Sequence, residues 1–276
     1  MLTAPDFRSL PLSRLLPVAL ALLCLVAFAP VSLGQATTVP PSHLLIYAFD
    51  VEGGQSTLIV DTGTHASLLV DTGWRAMGPK DDPDRDISRI QAAMADAGIS
   101  RIDHVLITHF HVDHVGGVPE LVKRVPVGEF LDHGENREDS DITRHDYAAY
   151  VKAIEGKPRR ILHPGDTIDI PGITAIVLTA DGEHIAADPR VLGTRVLGPG
   201  LKPTPNPLCA SEPKWDLDDT ENPRSTGVLI RFGRFRFLDL GDLTKAKEIP
   251  LVCPNNLIGS VDLYLVNHHG MNLSNS

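Results

Sequence analysis

The sequence predicts a single α/β domain behind a removable leader. Short apolar runs alternate with helical-period segments, glycines punctuate nearly every run, and there is no internal repeat or second apolar unit. With 42% hydrophobic and 22% charged residues, the chain has the composition of a folded core and of neither a disordered nor a low-complexity protein. Its net charge of −10 counts against holding nucleic acid by neutralising phosphates, so nucleic acid is not the expected partner.

Residues 1–36 read as a secretory signal peptide. Arg8 and Arg14 precede an apolar run over 15–33 that no acidic residue interrupts, and Ser32, Gly34 and Ala36 supply small residues for a cleavage site. Pro17 and Pro30 shorten the helix available to cross a bilayer, so cleavage is expected rather than anchoring. The mature protein is then secreted or periplasmic, and meets a membrane only through this segment before it is removed. Cys24 leaves with the leader. Cys209 and Cys253 remain for an oxidising compartment, where they either close a disulfide or stay two separate buried thiols.

The mature domain is expected over 43–276. Residues 44–49 (LLIYAF), 57–60 (TLIV) and 67–70 (SLLV) form short apolar runs separated by glycine-containing turns, a strand meander. Over 84–97, Ile87, Ile90, Ala93, Met94 and Ala97 recur at helical spacing, with Asp84 at the start and Gly98 at the stop. A strand at 105–108, a short helix at 118–124 and a strand at 129–131 follow. The charged stretch 135–144 leads into a helix over 147–154, and 173–179 (ITAIVLT) is a strand. Between Gly182 and Arg224 prolines crowd and no period holds, which predicts a long functional loop or insertion. Residues 227–232 and 235–240 form a hairpin turning at Gly233-Arg234, and 261–266 is the last strand.

The chemistry is concentrated in His109-Phe110-His111-Val112-Asp113-His114, between an apolar strand and Gly116-Gly117. Imidazole and carboxylate are N/O donors suited to Zn²⁺. Alternation sends His109 and His111 one way and Asp113 and His114 towards a second site. Four donors cannot complete two metal sites, so distant segments must contribute. Asp242 follows the run FRFLDL and Gly241, and His268 and His269 follow the run LYLV. Each leaves an apolar strand, the edge at which α/β sheets build sites.

Together these segments resemble the metallo-β-lactamase-fold hydrolases, and within them the competence-protein (ComEC-like) branch with its phosphorylcholine-esterase-type relatives. Residues 49–56 (FDVEGGQS) are similar to that branch's opening strand-turn, although Glu52-Gly53-Gly54-Gln55 stands where it usually reads Gly-Gln-Gly-Asp. Leu69-Val70-Asp71-Thr72-Gly73, the H-x-H-x-D-H-x-G-G run, Leu240-Gly241-Asp242-Leu243 and His268-His269-Gly270 complete the order.

The resemblance implies a four-layer αββα sandwich and two Zn²⁺ ions. His109 and His111 would hold the first ion, and Asp113, His114 and His269 the second, with Asp242 bridging both. A third imidazole for the first ion would come from His133 or His184, with His133 preferred. Asp71 would orient the ligand loop without touching metal. Asp113 would serve catalysis as well as ligation. His268 would donate a proton or stabilise charge on the substrate, its role interchangeable with that of His269. His163 reads as a turn residue, and His43, His65, His104 and His145 carry no expected chemistry. Two such ions can share a hydroxide formed near neutral pH, because the pKa of bound water drops to about 7. The implied reaction is hydrolysis of an ester of a small or cell-envelope substrate, with a phosphodiester as the leading class. The alternatives are an extracellular nuclease of the DNA-uptake type and a metal-binding protein without turnover. Because Ser276 follows so soon after His269, the resemblance also implies a C-terminally truncated version of the fold.

Overall fold

The structure is a computed structural model that describes residues 42–78, 81–82, 84–185, 196–198, 202–211 and 218–276; the expected leader lies outside these residues. The first three strands, β1 (Leu44–Ala48), β2 (Thr57–Asp61) and β3 (Ser67–Val70), pair antiparallel as the meander predicts. Helix α1 (Arg85–Asp96) then carries the chain back so that β4 (Ile102–Leu106) lies parallel to β3. After β4 come two short helices, α2 (Val112–Val115) and α3 (Val118–Arg124), and β5 (Val127–Asp132), which is parallel to β4. Helix α4 (Asp141–Ala153) and β6 (Arg159–Ile161) finish a sheet ordered β1-β2-β3-β4-β5-β6.

The second sheet begins with β7 (Thr167–Ile170) and β8 (Ile173–Ala180), to which the two-residue β9 (Glu183–His184) pairs. Beyond β10 (Thr204–Pro205), the hairpin β11 (Gly227–Phe232) and β12 (Phe235–Asp239) joins β8. Helix α5 (Lys245–Val252), β13 (Asn255–Asn256) and β14 (Leu263–Tyr264) follow. The order is β14-β12-β11-β8-β7, while β10 and β13 form a separate pair.

Side-chain alternation divides the core into three layers of contact. Leu58, Val60 and Leu69 pack against Ile87 and Ile90 of α1, whereas the intervening Ile59, Leu68 and Val70 face Ala175, Val177, Val228 and Ile230 of the other sheet. On β8 the neighbours Ile176 and Leu178 point away, to Leu243, Leu251 and Leu257 around α5. Strands buried on both faces read as continuous apolar runs, which is why TLIV and ITAIVLT show no polar alternation. The layers are helix, sheet, sheet, helix, the αββα sandwich that the resemblance implies.

The differences lie at element ends. Helix α4 starts at Asp141, ahead of the expected 147, because Ser140 caps it by accepting from the Thr143 amide. The charged stretch therefore holds the first helical turn. Strands β6 (RRI) and β7 (TIDI) are too short and polar to stand out, and Pro250 in its last turn disguises α5. Only Leu263 and Tyr264 of the expected last strand pair in the sheet. Cys209 and Cys253 are joined by a disulfide.

Candidate metal centre

The donors collect in turns that follow β4, β12 and β14, beside Asp71 at the exit of β3. In the loop after β4, His111 stands at the N-cap of α2 and puts Asp113 and His114 in its first turn. That helix lies so close to the exit of β3 that a Cβ on Gly117 would come within 2.4 Å of the Thr72 carbonyl oxygen, so the glycines of H-x-H-x-D-H-x-G-G are a packing requirement. Gly241 has φ +57°, and a Cβ there would press on Thr108 at 2.9 Å. It turns the chain out of β12 and aims Asp242 at the histidines.

Two groups of donors result, with Asp242 in both. Donor atoms of Asp113, His114, Asp242 and His269 lie within 4.8 Å of one another, as do those of His109, His111 and Asp242. The Asp242 carboxylate is 3.3 Å from His114 Nε2, 3.3 Å from His269 Nε2 and 3.9 Å from His109 Nε2. His269 Nε2 is also 3.2 Å from Asp113. The rings crowd, with centroids 4.1 Å apart for His109 and His114 and 4.6 Å apart for His109 and His111.

The tautomers follow from partners outside the groups. Asp71, fully buried, accepts from the Thr108 amide at 2.8 Å, the Thr108 hydroxyl at 2.7 Å and His114 Nδ1 at 2.7 Å. Having donated its one proton to Asp71, the Thr108 hydroxyl can only accept from His109 Nδ1, 3.1 Å away. Both imidazoles therefore carry a proton on Nδ1, which leaves Nε2 as the nitrogen each can give to a metal. Those two Nε2 atoms and Asp242 Oδ1 are buried without any hydrogen-bond partner. Three buried polar atoms without hydrogen-bond partners, spread over two donor groups that share Asp242, are expensive without a cation and fitting with one, and their N/O chemistry suits zinc.

Electrostatics agree. Burial, reinforced by His114 and His111, pushes the His109 imidazole well below its usual range and keeps its lone pair free. Burial opposes charge on His114, but Asp242 and Asp71 overcome it and raise that group well above the ordinary value. Hydrogen bonds to Asp113 and Asp242 raise His269 to about 9. Burial likewise opposes charge on Asp242, yet His114 and His269 hold it below the usual carboxylate range. Without an ion the centre holds protons where a cation would sit, so binding metal must release them.

His133 stands outside both groups. It is buried, but its Nε2 is held at 2.9 Å by Glu221, a carboxylate the loop reading of 182–224 gave no reason to place there. His184 is exposed on β9. Neither candidate for the third imidazole reaches the first group, which among the described residues is His109, His111 and Asp242. His268 is buried beside the centre, its Nε2 3.8 Å from Asp242 and its Nδ1 3.2 Å from the Ser274 hydroxyl. It belongs to neither donor group, whereas His269 belongs to the second. Both occupy left-handed backbone, at φ 51° and 53°. Glu248 of α5 secures this turn, accepting from Asn267 Nδ2 at 2.6 Å, the Asn275 amide at 2.8 Å and the Ser276 amide at 2.6 Å. Thr108, Ser225 and Asn222 also reach the centre and were not anticipated; Thr108, which directly precedes the motif, is the one that position could have flagged.

Residues 46–201 match the family model described as the Metallo-beta-lactamase superfamily. Among curated proteins, an atrochrysone carboxyl ACP thioesterase of Pseudocercospora fijiensis is 34% identical over 117 residues, 42% of this chain and 32% of that protein. The lactamase-like protein notP of an Aspergillus species is 34% identical over 119 residues, covering 42% and 33%. The match thus spans about a third of the length of these relatives. Among solved structures, a Cronobacter sakazakii metallo-beta-lactamase carrying a mutated HARLDQ motif aligns with TM-score 0.43 and 14% identity over 82% of this chain and 77% of that one.

Proposed function

Because the chain belongs to the Metallo-beta-lactamase superfamily, we propose that it is an exported hydrolase that holds two zinc ions and cleaves an ester of a small or cell-envelope substrate. The observation that carries this reading is the pair of donor groups sharing Asp242, with buried Nε2 atoms on His109 and His114 left without partners. His109, His111 and Asp242 would hold one ion; Asp113, His114, His269 and Asp242 would hold the other. Bound there, zinc would supply a water nucleophile at neutral pH and polarise the ester oxygen.

The chain's own residues do the rest. Asp71 and Thr108 fix the two imidazoles before any ion arrives, so little rearrangement accompanies binding. Asp113, His111 and His269 are the partly exposed members, at 16%, 23% and 25% of their side chains, and mark the side from which substrate enters. His268, buried beside Asp242 with its Nδ1 against the Ser274 hydroxyl, offers an imidazole that can hydrogen-bond the charge developing on the departing oxygen. Asp113, braced by His269, orients the reacting groups as well as binding metal.

The ester class has two readings. The likeness of residues 49–56 and of the His268-His269-Gly270 exit to the competence-protein branch supports a phosphodiester. The name of the fungal relatives supports a carboxylic thioester. The acidic chain counts against a polynucleotide in either case. Metal analysis of the mature protein, followed by assay with bis(p-nitrophenyl) phosphate, an acyl thioester and plasmid DNA, tests the proposal. Two zinc ions and chelator-sensitive turnover of either small ester support it. Zinc without turnover of any of the three returns the protein to a metal-binding role, and absence of zinc ends the reading. Mass analysis of protein exported with residues 1–36 in place tests the leader: an intact N-terminus refutes cleavage.

A further inference from the structure

Each histidine of the H-x-H-x-D-H run has one ring nitrogen occupied from outside the centre. His109 Nδ1 faces Thr108 and His114 Nδ1 faces Asp71, so these two keep Nε2 for metal. His111 is the reverse: its Nε2 lies 2.7 Å from Glu138 Oε2, in the loop that precedes α4. Glu138 is not one of the donors gathered within 4.8 Å around Asp242, whereas His111 is. The nitrogen left to His111 for that group is therefore Nδ1.

We infer that Glu138 is the positioning residue of the first metal site, fixing His111 as the Nε2–H tautomer so that it binds through Nδ1. This rests on the proposed zinc centre and deepens it. A carboxylate that accepts from a ligating imidazole sets its tautomer, orients its ring and raises its basicity. Glu138 is itself placed: its Oε2 also accepts from the Glu221 amide at 3.0 Å, and its own amide donates to Asn136 Oδ1 at 3.0 Å. Glu221 in turn holds His133 and accepts from the Arg137 amide at 2.7 Å. His133, the preferred of the two candidates for the third imidazole, instead anchors, through Glu221, the loop that delivers Glu138. With two imidazoles and a shared carboxylate in this group among the described residues, the orientation of His111 matters more than it would in a fuller donor set.

The test uses zinc-loaded protein labelled with ¹⁵N-histidine. Long-range ¹H–¹⁵N correlations should show the His111 proton on Nε2 and the His109 and His114 protons on Nδ1. In competition with a chromophoric chelator, Glu138→Ala should weaken one of two zinc sites by about 10–100-fold. Glu138→Gln, whose amide oxygen accepts the same N–H, should restore most of that loss. A His111 proton on Nδ1 overturns the inference and needs no variant to be seen. So does a Glu138→Ala protein that holds both ions as tightly as wild type. Wild-type protein that takes up no zinc is a separate result, which overturns the metal centre and this inference with it.

Discussion

Replacing Asp71 with Asn should cripple binding of the proposed zinc ions while leaving the backbone in place. Asp71 sits at φ 58°, a left-handed conformation that Asn tolerates, and the two side chains have the same shape. What changes is one oxygen. If the amide oxygen stays with the Thr108 N–H, the new NH₂ confronts the Thr108 hydroxyl and His114 Nδ1, both of which now donate to Oδ2. The opposite flip sets NH₂ against the Thr108 N–H. In the first case His114 must accept at Nδ1 and move its proton to Nε2, the atom facing Asp242. The Thr108 hydroxyl, freed from Asp71, turns its proton towards His109 Nδ1 and drives the same switch there. Two hydrogen bonds to a buried carboxylate, each worth about 1.5–3 kcal/mol, give way to neutral ones of about 0.5–1.5 kcal/mol, for a loss of about 2–3 kcal/mol of stability. Zinc affinity should fall at least 10–100-fold, as when an outer partner of a ligand is removed. Chelator competition measures the affinity, and urea unfolding with EDTA present measures the stability. Wild-type zinc affinity in Asp71→Asn would refute the tautomer reasoning, whatever the stability does.

Further outcomes follow from the same geometry. Thr108→Val removes the acceptor for His109 Nδ1 at nearly constant volume; the loss of a neutral hydrogen bond of about 0.5–1.5 kcal/mol should weaken zinc about 2–10-fold, and unchanged competition curves would contradict it. Asp239 is pushed up to about 6 by burial, despite hydrogen bonds from Gln55 and Gly241. A raised carboxyl pKa stabilises the fold below the unfolded value near 4, and that contribution is lost as pH rises through about 6. Asp239→Asn keeps an oxygen for both donors, so in EDTA its stability relative to wild type should rise by about 3 kcal/mol between pH 4 and 7; a flat difference refutes the shift. Replacing Cys209 and Cys253 with Ser frees a loop with ends 44 residues apart and should lower stability by about 4 kcal/mol in urea, with zinc stoichiometry unchanged.

The α/β alternation was legible because its strands are apolar on both faces, whereas the four-layer stacking came only with the resemblance. TLIV and ITAIVLT stand out against any background, and Ile87, Ile90 and Met94 can only form a helix face. Strands β6 and β7 were not, since RRI and TIDI carry too little apolar signal and owe their place to their neighbours. The donor groups were legible for a related reason: His109, His111, Asp113, His114, Asp242 and His269 all leave strands the sequence marks, and topology brings such exits to one edge. His133 misled because it too leaves a strand before a glycine. Its fate depends on Glu221, which comes from a segment with no period at all. Glu138 was hidden for the same reason, as one charge among several in a stretch where nothing distinguishes a solvated carboxylate from one that grips an imidazole.

The turn at His268 and His269 leaves a thermodynamic debt that something nearby must offset. Two successive side chains in left-handed backbone cost of order 1–3 kcal/mol each, and the buried carboxylate of Glu248 accepts from the Asn275 and Ser276 amides that follow them. Ligation at His269 and the grip of Glu248 would thus support each other across residues 267–276. Stripping the ion should release amide protons from 267–276 to exchange before those of the sheets, and weakening Glu248 should loosen the ion without a change in any atom that touches it.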